Sequence, residues 1–407
     1  MILQLALRNL GRNRRRSLLT ISSLVVSSSL LILILGVISG MLSDILASAT
    51  EQYHGHLVIS RREYQDNRNL FQTFEQPGPL AGKLRERSGV LGASPRLRAF
   101  GLLSHQDVTV PIEMLGVLPE EERLVTNLGA HLTAGTYLSR EDGEGALIGL
   151  TLADRLGVAP GDELVFFTQS ADGSIGNALL RVEGVFSTLD NAVESRLVMV
   201  NLPWLQDVMV MPGRVHEIAV RLADARKSAV VAGDLQVGLA DDLRAEDWGK
   251  LIPEMQQVMA AFETMRIVII VIFYLAAGLG ILNTFFMAVF ERTREFGVLL
   301  AMGMHPWQIR AMILLESLIM ACVSLFFGLI LGVLLTLYMV HVGVDMSGYM
   351  SAVSYGGGIV SPHLKAVVQW PNFLLPVCLL LIACLLAGFI PANRAARLRP
   401  VDAIRGE

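Results

Sequence analysis

The stretch ERTREFGVLLAMGMHPWQIR, residues 291–310, opens with charge, turns apolar and is punctuated by Gly303 and Pro306. Residues 267–290 before it carry no charge, and residues 317–340 after it are equally uncharged, with Glu316 just ahead of them. Each flank exceeds the roughly 20 residues a helix needs to cross a bilayer core. In lipid the backbone must close its own hydrogen bonds, so both flanks read as membrane helices. Further outward, residues 17–43 and 366–393 are also free of charge. Composition agrees: of 407 residues 53% are hydrophobic and 17% charged, and the mean hydropathy is +0.52. A soluble chain carries about 25% charged residues.

Arginine orients the spans. Arg8, Arg12, Arg14, Arg15 and Arg16 precede the first, Arg292, Arg294 and Arg310 lie between the second and third, and Arg394, Arg397, Arg399 and Arg405 follow the fourth. Residues 341–365 hold a single cation, Lys365. The positive-inside rule then predicts an inner-membrane protein with both termini and the 291–310 segment in the cytoplasm. The expected order is a cytoplasmic amphipathic helix (1–16), transmembrane helix 1 (17–43), an extracytoplasmic α+β domain (44–264), transmembrane helix 2 (265–290), the 291–310 segment, transmembrane helix 3 (311–340), an extracytoplasmic loop (341–365), transmembrane helix 4 (366–393) and a cytoplasmic tail (394–407). The first run is too long for a signal-peptide core, so it is expected to stay as a span. Cys322, Cys378 and Cys384 all fall in spans, where they read as small packing residues and offer no metal-ligand spacing.

The domain between the first two spans shows strand signals at residues 56–60, 146–148, 164–167, 179–186, 196–200 and 217–222. Residues 151–156 and 223–235 read as helices, and 251–266 as a helix running into the second span. Residues 349–360, with Gly356, Gly357 and Gly358, read as a flexible turn. The chain lacks a P-loop, a G-x-S-x-G elbow and a zinc-protease helix; Val220 stands where a second histidine would follow His216. Neither catalytic nor metal-binding residues are expected, and no nucleic-acid partner.

Glu291, Arg292, Arg294 and Glu295, followed by Phe296, Val298, Leu299, Leu300 and Met302, form a short amphipathic helix. Gly303 suits its C-terminal cap and Pro306 the first turn of the next helix. Such a surface can be gripped by a protein partner, but a plain connecting hairpin fits the periodicity equally well. Here Glu291, Arg292, Glu295, Phe296, Gly297, Val298, Leu299, Ala301, Gly303, Gln308 and Ile309 resemble the cytoplasmic coupling segment of FtsX-like permeases, the MacB-type (type VII) ABC transporter permeases. Residues 5–10 with 16–19 resemble that family's N-terminal helix, and Pro391, Ala392, Ala395, Ala396, Pro400, Ala403 and Ile404 its tail. Residues 146–186 look like the family's MacB-like periplasmic core.

The resemblance implies a non-catalytic permease half. It would work as a dimer, with a second copy or a sister permease, by mechanotransmission. Two copies of a separate ATPase would hold the ATP and magnesium and dock on Glu291, Arg292, Arg294, Glu295, Phe296, Gly297, Leu299, Leu300, Gly303 and Met304. MacB carries its ATPase fused ahead of the first span, whereas this chain begins sixteen residues before it, so the ATPase is expected on another subunit. In size and layout the chain best fits the lipoprotein-releasing type, LolC and LolE, which implies membrane lipid, a lipoprotein substrate and a periplasmic chaperone or adaptor. Adaptor-linked efflux and FtsX-like activation of a cell-wall hydrolase stay open. Gly36 with Gly40 and Gly328 with Gly332 are small-xxx-small faces that permit close helix packing, though glycine is also simply tolerated in such helices. Glu316, costly near lipid, is expected to contact the coupling segment through Arg292 or Arg310 in preference to relaying protons.

Overall fold

The computed structural model describes residues 4, 6, 8, 14–140, 143–188, 191–349, 353–355 and 358–399. Most of the expected N-terminal helix and the tail beyond residue 399 lie outside the described residues. The chain forms two compact units, one of Met1–Leu42, Ala260–Met350 and Pro362–Glu407, the other of Ser43–Met259 and Ser351–Ser361.

The first unit is helical. Among the described residues, four helices are long and apolar enough to cross a membrane. They are α1 (Arg14–Ala49), α2 (Pro253–Glu291), α4 (Pro306–His341) and α5 (Trp370–Ala396), with the short α3 (Thr293–Ala301) between α2 and α4. The helices outrun the apolar spans because hydropathy marks the part that needs lipid, while capping sets where a helix ends. Thus α2 begins at Pro253, and Trp248–Leu251 is a separate turn capped by Asp247, which accepts from the Gly249 N–H at 3.2 Å. At the other end of the range, α5 starts at Trp370 instead of residue 366. Its lead-in is extended, with Ala366 N–H donating to Met339 O and Val367 N–H to Gly36 O.

Gly328, Gly332 and Gly36 line one seam between α1 and α4, while Gly40 faces the extended lead-in to α5. A Cβ on Gly328 would come 2.1 Å from Ser28 Oγ, and one on Gly332 3.0 Å from Ile32. On the facing helix, a Cβ on Gly36 would come 3.2 Å from Thr336, and one on Gly40 2.0 Å from Lys365 O. Without glycine these backbones could not approach so closely. Buried polar bonds tie the other helices: Asn372 Nδ2 donates to Ser39 Oγ at 3.0 Å, Ser317 Oγ to Cys384 O at 2.8 Å and Tyr274 Oη to Pro376 O at 2.7 Å.

The second unit is built on a mixed sheet of β1 (Leu57–Arg61), β3 (Val90–His105), β4 (Val108–Val117), β5 (Leu132–Gly135), β6 (Gly145–Gly149), β7 (Glu163–Gln169), β8 (Ile175–Phe186), β9 (Leu197–Asn201), β11 (Glu217–Leu222) and β12 (Leu243–Asp247). A separate ribbon pairs β2 (Phe74–Glu75) with β10 (Arg214–Val215). The order is β12-β1-β11-β3-β4-β9-β6-β8-β5, with β7 on β3 and β8; the pairs β4–β9 and β6–β8 are parallel. The larger core lies on one face, with Leu57, Ile59, Leu97, Leu103, Phe166, Val198 and Ile218 buried together, and a smaller cluster of Leu115, Val117, Leu147, Leu197 and Met199 is buried on the other. The outer edge of β12 is closed by Gln236, whose amide accepts from Ala245 N–H and donates to Leu243 O, as an edge strand requires.

Two expectations change here. The helix expected over 223–235 begins as a 3₁₀ turn, Ala225–Lys227, and becomes α-helical only at Ser228–Gln236, because Asp224 caps the turn by accepting from Arg226 N–H. The supposed turn at 349–360 contains a hairpin of Val353–Tyr355 with Gly358–Val360; Gly356 and Gly357 lie outside the described residues. Gly358 leaves no room for a Cβ, which would come 2.3 Å from Met255 Cε and 2.7 Å from Ile45 Cγ2, so that hairpin packs within the second unit. The long hairpin β3–β4 was not foreseen at all.

Candidate functional site

The segment 291–310 is held in shape by three local devices. First, α2 ends at Glu291 and Arg292 leaves the helix with φ −110° and ψ 13°. Its Nη1 donates to both Glu316 oxygens, at 3.2 and 3.3 Å, and its Nε to Glu295 at 3.1 Å. The guanidinium also lies 5.0 Å from the centre of the Phe296 ring. Second, α3 closes with a Schellman motif: Met304 N–H donates to Leu299 O, Gly303 N–H to Leu300 O, and Gly303 takes φ +91°, which glycine adopts without strain. Third, α4 starts with a capping box in which His305 Nδ1 accepts from Trp307 N–H and Gln308 Oε1 from His305 N–H, with Pro306 in the first turn.

This geometry divides the expected docking residues. Arg292, Phe296 and Gly297 are buried, with Phe296 only 1% exposed in a cluster with Ile309, Met312, Ala392 and Ala395. Leu299, Leu300 and Met304 are half-buried against the same cluster. Glu291, Arg294, Glu295 and Gly303 are exposed. Arg292, Phe296 and Gly297 are therefore corrected from partner contacts to internal supports, because the amphipathic helix must bury its apolar stripe on its own unit first. Three further residues outside the expected docking set face outward: Val298, Met302 at 71% and Trp307 at 63% exposure. The signal was available, since residues 298 and 302 share a helix face and a tryptophan in a polar turn has no core to enter. The outer surface thus offers a large apolar pair, Met302 and Trp307, with Arg294, which makes no ion pair among the described residues. Glu316 meets Arg292, with both side chains below 10% exposed.

A second constellation lies in the sheet unit and was invisible in the sequence. α1 runs into a π-turn, Thr50–His54, whose terminal carbonyls point at β3. Arg96 Nη1 donates to Tyr53 O at 2.7 Å and His54 O at 3.4 Å, while Nε and Nη2 form a fork on Glu122 at 3.1 and 2.5 Å. The Arg96 and Glu122 side chains are both fully buried. Two residues along the same strand face, Arg98 donates to Glu217 at 3.0 and 2.6 Å and also to Glu113 and the Tyr53 hydroxyl. Burial alone would raise the Glu217 carboxyl, but the guanidinium groups of Arg98 and Arg96 outweigh it and hold it at about 2. Glu113 is likewise held below its usual range, burial being overcome by Arg98. Burial pushes His216 down to about 4 and His54 to about 3. His216 is kept neutral in place, accepting from Arg98 N–H through Nδ1 and bonding Leu70 O through Nε2. The arrangement caps the end of α1 and fastens it to the sheet. Among the described residues no cluster of histidine, cysteine and carboxylate could hold a metal ion.

Comparison with known proteins adds the following. A family model described as FtsX-like permease C-terminal matches residues 267–400, and one described as MacB-like periplasmic core domain matches residues 17–236. The chain is 26% identical to the lipoprotein-releasing system transmembrane protein LolC of Xylella fastidiosa over 78% of each chain. It is 23% identical to LolC of Neisseria meningitidis over 96% of this chain and 94% of that one. It is 24% identical to the macrolide export ATP-binding/permease protein MacB of Nitrobacter winogradskyi over 97% of this chain and 58% of that protein.

Proposed function

We propose that this chain, which belongs to the FtsX-like permease family and carries that family's MacB-like periplasmic core domain, is the subunit through which a separate ATPase drives release of a lipoprotein, or a similar amphiphile, from the outer leaflet of the inner membrane. It is an ABC transporter permease of the LolC and MacB type. The observation that carries the reading is the braced coupling helix: α3 is fixed to α4 by the buried Arg292–Glu316 pair while Met302, Trp307 and Arg294 face outward. A partner that pushes on a surface so fixed moves α2 and α4 with it. α1 and α2 each begin in one unit and end in the other, which gives motion of the membrane unit a continuous covalent route to the extracytoplasmic one. The arginine distribution supports a cytoplasmic place for α3 and both termini. ATP and magnesium would sit on the partner ATPase, in two copies, with a second permease copy or a sister permease completing the complex.

The LolC relatives support the lipoprotein reading and the MacB relative supports macrolide export as its alternative. The test is gentle purification of the tagged chain from native membranes with mass spectrometry of its companions. A soluble ATPase together with a lipoprotein or its carrier is the expected result. An ATPase with an adaptor instead would transfer the reading to efflux, and an ATPase with a hydrolase to signalling. Absence of any ATPase after crosslinking would overturn the permease mechanism.

A further inference from the structure

A groove of about 490 Å³ runs between α2 and α5 within the helical unit. Gly278, Ala383 and Ala387 are recessed in it, while Leu275, Leu279, Ile382 and Leu386 stand along it more than half exposed. Of the described side chains that line it only Tyr274 is polar, and its hydroxyl is taken by Pro376 O at 2.7 Å. The groove therefore accepts hydrocarbon and offers no hydrogen bond to a polar occupant. From Ile270 to Leu282 it follows α2 for about 18 Å at about 1.5 Å per residue, close to the depth of one leaflet in a core of about 30 Å.

One end of the groove is charged. Ile382, Leu386, Ile390 and Arg394 follow one another four residues apart on α5, so the arginine continues the groove wall. On α2, Leu282 is followed at the same spacing by Phe286 and Phe290, whose rings stack at 6.3 Å. The two rows meet there, with the Arg394 guanidinium 5.0 Å from the centre of the Phe290 ring. Arg394 and Arg397, one turn later, are both exposed, and neither makes an ion pair among the described residues.

We propose that this groove holds an acyl chain of an anionic phospholipid from the surrounding bilayer, with the phosphate of that lipid on Arg394 and Arg397. A guanidinium grips phosphate through two parallel N–H donors, and basic sites between membrane helices hold such headgroups. A neutral lipid fills the groove but leaves both cations unmatched. A second copy of this chain fits worse: its α1 would bring Arg14 and Arg15 to that level and its α5 another Arg394, like charge against like. The headgroup then lies where α2 ends, beside the 291–310 segment.

The experiment uses the full chain in phosphatidylcholine nanodiscs doped with phosphatidylglycerol that carries a photoactivatable diazirine in one acyl chain; the same probe with a choline headgroup is the control. Labelled residues are mapped by mass spectrometry. The glycerol probe should label the groove at least about fivefold more than the choline probe, the effect of one arginine on an anionic headgroup. Arg394→Gln should cut that preference about fivefold, and Arg394→Lys should keep most of it. Arg394→Gln with Arg397→Gln should bring the two probes level. Gly278→Leu should fill the groove and lower labelling by both probes; Gly280→Leu, which also meets open space but does not line the groove, should not. Equal labelling by the two probes, a preference unchanged in the double arginine variant, or groove labelling unchanged in Gly278→Leu would each overturn the site. Crosslinks that join two copies through the groove would overturn the lipid as its occupant. No ATPase or nucleotide enters the assay, so failure here is distinct from failure of the permease reading.

Discussion

Replacing Glu316 by leucine tests whether the coupling helix is truly braced from within. In the native chain Arg292 is 9% exposed and holds Glu316 through two oxygens and Glu295 through one. Removing one partner of a buried pair costs about 3–5 kcal/mol, since the other charge is left uncompensated. Glu295 keeps its bond to Arg292 Nε, so the cost should lie near the lower end, at about 3 kcal/mol. The double variant Arg292→Leu with Glu316→Leu removes both charges and should recover most of that loss, because paired apolar replacement of a buried ion pair is commonly neutral. The assay is unfolding in mixed micelles, with the coupling free energy taken from the four-member cycle. ATPase stimulation measured on the same four proteins should fall in all three variants if the brace transmits force. Additivity of the two substitutions, within about 0.5 kcal/mol, would refute the pairing.

Other outcomes follow from the same geometry. Trp307→Ala and Met302→Ser should each weaken ATPase capture roughly tenfold or more, as exposed anchors at the centre of an interface do, and leave unfolding unchanged; loss of stability without loss of capture would contradict their outward role. Gly40→Ala should destabilise the membrane unit, because its methyl would fall 2.0 Å from the Lys365 carbonyl, whereas Gly278→Ala, where nothing lies within 4 Å, should be neutral in the same unfolding assay. The extracytoplasmic unit should lose stability as pH falls. His216 has a folded value of about 4 against an ordinary 6.5, so the unfolded chain takes up a proton first and the loss begins near the upper value. Glu217, held at about 2 against 4.5, adds a loss that starts near 4.5 and continues through 2. A pH series of thermal midpoints should show both phases, with the upper one shallower in His216→Gln; a midpoint that rises on acidification would contradict the sign.

What could be read in the sequence was whatever is local. The four spans are visible because lipid demands some 20 apolar residues in a row, and no distant contact is needed to see them. The Gly303 cap and the Pro306 start are visible for the same reason, each being a conformational demand of one or two residues. The hairpin β3–β4 was hidden because Gly92, Pro95, Arg96, Arg98 and Gly101 interrupt every local strand signal on β3. Those residues make sense only in the fold. Gly101 lies where a Cβ would come 2.3 Å from Phe167 O, and Pro95 stands opposite Ile218 in the β11 register.

The buried arginines carry the same lesson further. Arg96 and Arg98 look like surface charges until register brings Glu217 opposite Arg96 and the π-turn sets the Tyr53 and His54 carbonyls on Arg96 and the Tyr53 hydroxyl on Arg98. Ionic groups buried this completely are poor stabilisers compared with apolar packing, since desolvation offsets most of their attraction. What they supply is direction: a guanidinium fork that holds both a carboxylate and two carbonyls admits few alternative seatings of the helix end. In a chain whose proposed work is to carry motion along α1, a joint that cannot slide is worth more than one that is merely stable. The Arg292–Glu316 brace within the helical unit has the same character, and of the two joints it is the one the sequence foretold, as a contact of Glu316 with Arg292 or Arg310. Glu316 alone gave a hint, because a carboxylate beside lipid must find a partner, and the nearest cations in the chain were those of the coupling segment.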